Sequence, residues 1–134
     1  MPRTAFQWIN LVFALMFLAS GALQYNDPDP LRWVLIYGAA AAACLISHPP
    51  ALRRGLPLLA GSVSLLWALF LLPRTLSDFR FGDLFLAMKA ETPAIEWGRE
   101  ALGLLIVAAW MIVLLMRRRD RHPPAPKEAT TPLI

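Results

Sequence analysis

Charge is scarce in this chain. Only 16% of its 134 residues are Asp, Glu, Lys or Arg, where a soluble domain carries about a quarter. An ordinary water-soluble domain is therefore a poor fit. Cysteine is scarcer still. Cys44 stands alone, so no intrachain disulfide can form and the redox compartment stays open. It reads as a small apolar residue packed in a helix. The two histidines, His48 and His122, belong to no Ser-His-Asp set and no metal-spaced His/Cys group, and no glycine-rich phosphate loop is present. No cofactor is expected. The formal net charge of +4 does not point to nucleic acid, because the basic residues cluster beside apolar runs.

What the chain has in abundance is apolar surface, at 57% hydrophobic residues. Apolar segments fall at about residues 4–24, 31–47, 56–72 and 93–116. At about 1.5 Å per residue, a 20-residue helix crosses a ~30 Å hydrocarbon core. The fold class expected is all-α: an integral membrane protein built as an antiparallel bundle of four transmembrane helices. Residues 1–121 form that domain, and residues 122–134, rich in Pro, Ala and Thr, form a disordered cytoplasmic tail. A rival reading of the first segment is a cleaved signal peptide, with Arg3 as its basic region.

The second segment carries Gly38-Ala39-Ala40-Ala41-Ala42-Ala43. Small residues let helix backbones approach closely in lipid, so this helix should have close neighbours on more than one side. Ala60, Ser64 and Ala68, four apart, make a similar face on the third segment. Residues 51–55 read as a short basic turn, and segments two and three as a helical hairpin, both short for spans. In the long connection 73–92, residues 82–90 fit either a short interfacial helix or an ordinary loop with apolar anchors. Thr92-Pro93 opens the last segment with a cap followed by proline.

The first connection is Gln24-Tyr25-Asn26-Asp27-Pro28-Asp29-Pro30. Each proline fixes its own φ and biases the residue before it toward extended backbone. Asp29 suits a helix N-cap with Pro30 at the first helical position. Asn26 and Asp27 can close a turn through side-chain to backbone bonds. Trp33 and Tyr37 follow one turn apart, where amphipathic rings suit a membrane interface.

Four spans put both termini on one side, with Arg3, Arg53, Arg54, Arg117, Arg118, Arg119, Arg121 and Lys127 against Asp120 and Glu128. The opposite side carries five basic and seven acidic residues. The positive-inside rule then places both termini in the cytoplasm of an inner or plasma membrane. The first connection and the start of segment four share the outer side. On a helix, Glu96, Arg99, Glu100 and Gly103 fall on one face. Gly103 allows a backbone or ligand to come close. Glu100 nears the hydrocarbon, where an unpaired carboxylate is costly, so it should pair with Arg99, Arg32 or a backbone N–H, or bind something.

Two motifs also resemble a known family, the transmembrane protein 220 family. One is Asn26-Asp27-Pro28-Asp29 with Trp33 and Tyr37. The other is Gly98-Arg99-Glu100, then Gly103-Leu104 and Ala109-Trp110. The resemblance implies a helical multi-span membrane protein that retains its first segment. It implies no activity.

Three functional readings follow. The first is a non-catalytic accessory or assembly subunit in contact with membrane lipid and with a membrane-protein partner or further copies of itself. In that reading the Asp/Glu/Arg cluster is a structural clasp. The second is a binding site for a cation or polar ligand, with Asp27, Glu96 and Glu100 as candidate metal ligands and Asn26 and Asp29 as further oxygen donors. Arg99 opposes a dense positive ion. The third is a lipid-modifying enzyme using paired carboxylates as acid and base. Transport is disfavoured, because no charged residue falls at mid-span.

Overall fold

The computed structural model describes residues 2–76 and 93–119. The candidate interfacial helix at 82–90 and the tail at 122–134 lie outside the described residues. Within them, regular structure is helical throughout: α1 (Arg3–Ala22), a 3-10 turn (Leu23–Asn26), α2 (Pro30–Leu45), α3 (Pro50–Leu76) and α4 (Pro93–Arg119).

Local sequence explains these elements. α1 contains neither proline nor glycine before Gly21, so nothing interrupts its hydrogen-bond ladder. α2 starts with Asp29 at the N-cap and Pro30 just inside, as expected. The Asp29 side chain makes no cap bond and pairs instead with Arg32 at 3.3 Å. α2 stops at Leu45 because Pro49 and Pro50 offer no N–H, and Ile46 is already extended. α1, α3 and α4 contain apolar stretches long enough to cross a membrane, while α2 is a shorter apolar helix. Its 16 residues give about 24 Å of length.

The helices alternate in direction. Asn10, near the start of α1, meets Cys44 at the end of α2 and Trp110 in the second half of α4. Arg53, near the start of α3, meets Arg118 at the end of α4. At the opposite end, Arg74 of α3 lies over Trp97 of α4, and Gly21 of α1 lies against Tyr37 of α2.

α2 packs on all three other helices, and its alanine run is the reason. Ala40, Ala41 and Ala43 are fully buried, so three backbones close on one thin helix. Ala60, Ser64 and Ala68 are also buried, on the face α3 turns to α4. A Cβ at Gly61 would stand only 3.0 Å from the Met111 Cβ, so α3 and α4 approach closely there. α1 and α4 meet differently, through large rings: Phe13 stacks on Trp110 with centroids 3.8 Å apart, and Phe6 flanks it at 5.8 Å.

α2 and α3 do pack on each other as expected, but not as a main pair. α3 packs mainly on α4, and α1 mainly on α2, because the small-residue face of α3 is directed at α4. Residues 51–55 also differ. They are not a turn but the first turns of α3. Pro57 removes the N–H that would bond the Arg53 carbonyl four residues back. The Arg118 guanidinium takes that carbonyl instead, so the helix continues through the proline.

Outward-facing positions are overwhelmingly apolar. Leu11, Leu15 and Leu18 on α1, Leu58, Leu66 and Phe70 on α3, and Leu102, Ile106 and Ile112 on α4 are all exposed. Soluble monomers rarely leave such contiguous apolar surface uncovered.

Candidate functional site

At the end opposite the termini, α1, the 3-10 turn, α2 and α4 enclose a cavity of about 510 Å³. Three carboxylates, Asp27, Glu96 and Glu100, and one guanidinium, Arg99, line it together with Ser20, Leu23, Gln24, Trp33 and Tyr37. The 3-10 turn carries the chain off α1 and delivers Asp27 at its exit. The Asp27 carboxylate accepts the Asp29 N–H at 2.9 Å, the local turn closure foreseen for this residue. Glu96, Arg99 and Glu100 share one face of α4 by their three- and four-residue spacing, and all three reach the cavity.

Trp33 and Tyr37 are buried inside the bundle rather than exposed on its surface. Trp33 is 2% exposed and Tyr37 8%. Trp33 packs on Tyr37 at 6.3 Å and on Trp67 at 6.4 Å, and Phe17 stacks on Tyr37. Close neighbours bury the indole because α2 is central in the bundle. The indole N–H of Trp33 has no hydrogen-bond partner among the described residues.

Gly103 has a definite purpose. A Cβ there would lie 2.5 Å from the Tyr37 hydroxyl. The glycine therefore admits the phenol of α2 against the backbone of α4.

Two of the expected site residues lie elsewhere. Asn26 and Asp29 are exposed and do not line the cavity. Asp29 is committed to Arg32, whose guanidinium lies over the Trp67 and Trp33 rings at 4.6 and 5.5 Å. Arg32 is thus a cation held by aromatics and one carboxylate. The only ion pair among the described residues is this one. Neither Arg99 nor Arg32 pairs with Glu100 there. Nor do three His, Cys, Asp or Glu side chains among the described residues converge closely enough to hold a metal ion.

The opposite end holds residues that spacing did not single out. The Asn10 amide donates to the Cys44 carbonyl at 2.8 Å and accepts the Trp110 indole N–H at 3.3 Å. Arg118 donates to the Ala43 carbonyl at 2.7 Å as well as to Arg53. Both side chains cap the C-terminus of α2, where the chain turns extended at Ile46 and the last carbonyls lose their helical N–H partners. For Asn10 the only sequence signal was a polar residue inside an apolar span, which is costly unless paired; Arg118 stood in a basic run that reads as a topology anchor.

No curated protein and no solved structure matches the chain. A family model does match, that of Transmembrane family 220, over residues 16–116. That match takes in α2, α3, both cavity-lining stretches and nearly all of the apolar part of α4. Together with three helices able to span a bilayer, it makes this an integral membrane protein belonging to Transmembrane family 220.

Proposed function

We propose that this protein is a small, non-catalytic, four-span membrane protein whose outward-facing cavity binds a polar molecule. The cavity itself is the observation that supports the reading. A space of about 510 Å³ falls within the range of small-molecule sites, roughly 300–1,000 Å³. Its lining is mainly polar and charged, with Leu23, Trp33 and Tyr37 as the apolar wall, which suits a polar molecule. The excess of basic residues beside the termini orients the bundle with both termini in the cytoplasm of an inner or plasma membrane. The cavity then opens on the extracytoplasmic side.

An accessory or assembly role, with the charged cluster acting as a clasp, draws less support. A clasp needs charge pairs between the first connection and α4, and Arg99 makes none among the described residues. The apolar faces that a partner subunit would use are the same faces that acyl chains cover. Binding therefore takes precedence over assembly, and over chemistry by paired carboxylates.

The experiment is a native mass measurement on protein extracted from its own membranes in mild detergent. A small molecule retained at one per chain, and lost when Ser20→Trp fills the cavity, is the expected result. A chain that co-purifies with other polypeptides, with nothing retained and no effect of Ser20→Trp, would favour the subunit reading instead.

A further inference from the structure

Resting on that binding reading, we infer that the cavity takes a zwitterionic amino-phosphate head: an ammonium held by Asp27, Glu96 and Glu100, and a phosphate held by Arg99. The argument starts from charge. Three carboxylates and one guanidinium face the same space, and among the described residues these four side chains make no ion pairs with one another. Asp27 and Glu100 are half-buried, where a carboxylate without a counter-charge is costly. A ligand carrying both signs supplies one to each.

A bare metal ion is a worse occupant. The carboxylates do not converge as metal ligands would, a guanidinium sits beside them, and the cavity is far larger than one ion. An organic ammonium fits better. It donates hydrogen bonds to carboxylates and is also drawn to the faces of aromatic rings. Trp33 and Tyr37 supply that wall. Trp33 is nine-tenths buried and more, yet its indole N–H is unpartnered among the described residues, although a buried indole N–H normally finds an acceptor. Arg99, exposed at the mouth, offers the fork that binds phosphate bidentately.

The position in the fold agrees with this. The cavity spans the level where the exposed surface of α4 changes from Glu96 and Arg99 to Leu102 and Ile106. That is the depth of a phospholipid headgroup, so the same amino-phosphate could arrive on a lipid or as a free soluble compound.

The test uses the full chain in mild detergent with two probes: phosphatidylethanolamine, with phosphatidylglycerol as comparator, and soluble glycerophosphoethanolamine. Lipid retention is read by native mass spectrometry and the soluble probe by calorimetry. The expected result is preferential binding of at least one amino-phosphate, weakened about tenfold or more by Glu96→Gln with Glu100→Gln and by Arg99→Gln. Asp27→Asn serves as a second variant should the double substitution not fold. Binding of the lipid alone identifies a headgroup site, and binding of the soluble probe identifies a free ligand; both uphold the inference. Equal retention of phosphatidylglycerol, or binding that these variants leave unchanged, overturns it. If instead a different polar molecule is retained and is displaced by Ser20→Trp, the amino-phosphate assignment fails while the binding cavity stands.

Discussion

The guanidinium of Arg118 donates to the main-chain carbonyl of Arg53, 65 residues away in the chain. That carbonyl is the one Pro57 leaves without its helical donor. The same guanidinium reaches the Ala43 carbonyl at 2.7 Å, so one side chain closes the end of α2, supports the start of α3 and anchors the end of α4. A run of three arginines that reads as a topology signal thus contains one residue with a specific structural task.

Arg118→Ala should therefore destabilise the bundle much more than Arg119→Ala, although the two remove the same charge. Charged hydrogen bonds contribute about 1.5–3 kcal/mol each, and Arg119 is exposed. Arg118→Lys should recover only part of the loss, because an ammonium lacks the fork that reaches two carbonyls. Thermal unfolding in detergent distinguishes the three. Equal melting temperatures for Arg118→Ala and Arg119→Ala would show that the carbonyls are served by water instead.

Gly103→Ala should cost about 1–3 kcal/mol through overpacking, since the new Cβ meets the Tyr37 hydroxyl at 2.5 Å. Tyr37 cannot easily swing aside, being packed against Phe17 and Trp33. In a Tyr37→Phe background the clash is gone, because the next atom of the ring is 3.7 Å away, an ordinary contact. The same substitution should then be nearly neutral. A cost that persists in the Phe background would place the strain elsewhere.

Asn10→Leu should also destabilise, by about 1–3 kcal/mol, despite raising the hydrophobicity of α1. It leaves the Cys44 carbonyl and the Trp110 indole N–H unpartnered inside the bundle, and such orphans are costly. Trp110→Phe removes one of them, so the double variant should lose less than the two single losses added together. Strict additivity of the measured unfolding free energies would mean that the Asn10 bridge carries no weight.

Much of this architecture was legible in the chain, for a physical reason. Crossing a bilayer demands about 20 apolar residues in a row, and close helix packing demands small ones. Both demands are met by neighbours in sequence, so the apolar segments, the alanine run and the Ala60/Ser64/Ala68 face all declare themselves. The cavity face of α4 was legible too, because Glu96, Arg99 and Glu100 are brought together by helical spacing alone. Asp27 closing a turn onto Asp29 is a contact two residues long.

The tertiary structure decided what depends on partners distant in the chain. Trp33 carries the same indole whether it faces headgroups or a protein core, and only the central place of α2 buries it. Asn26 and Asp29 look equivalent to Asp27 in a polar turn, yet the turn points Asp27 alone into the cavity. Residues 51–55 read as a turn beside Pro57 until Arg118 arrives to replace the missing donor. Sequence by itself determined the four apolar helices of the described residues, since these follow from local chemistry and solvent. Which carbonyl meets which guanidinium, and which charges share a cavity, was settled by packing, because those pairings exist only once all four helices are in place.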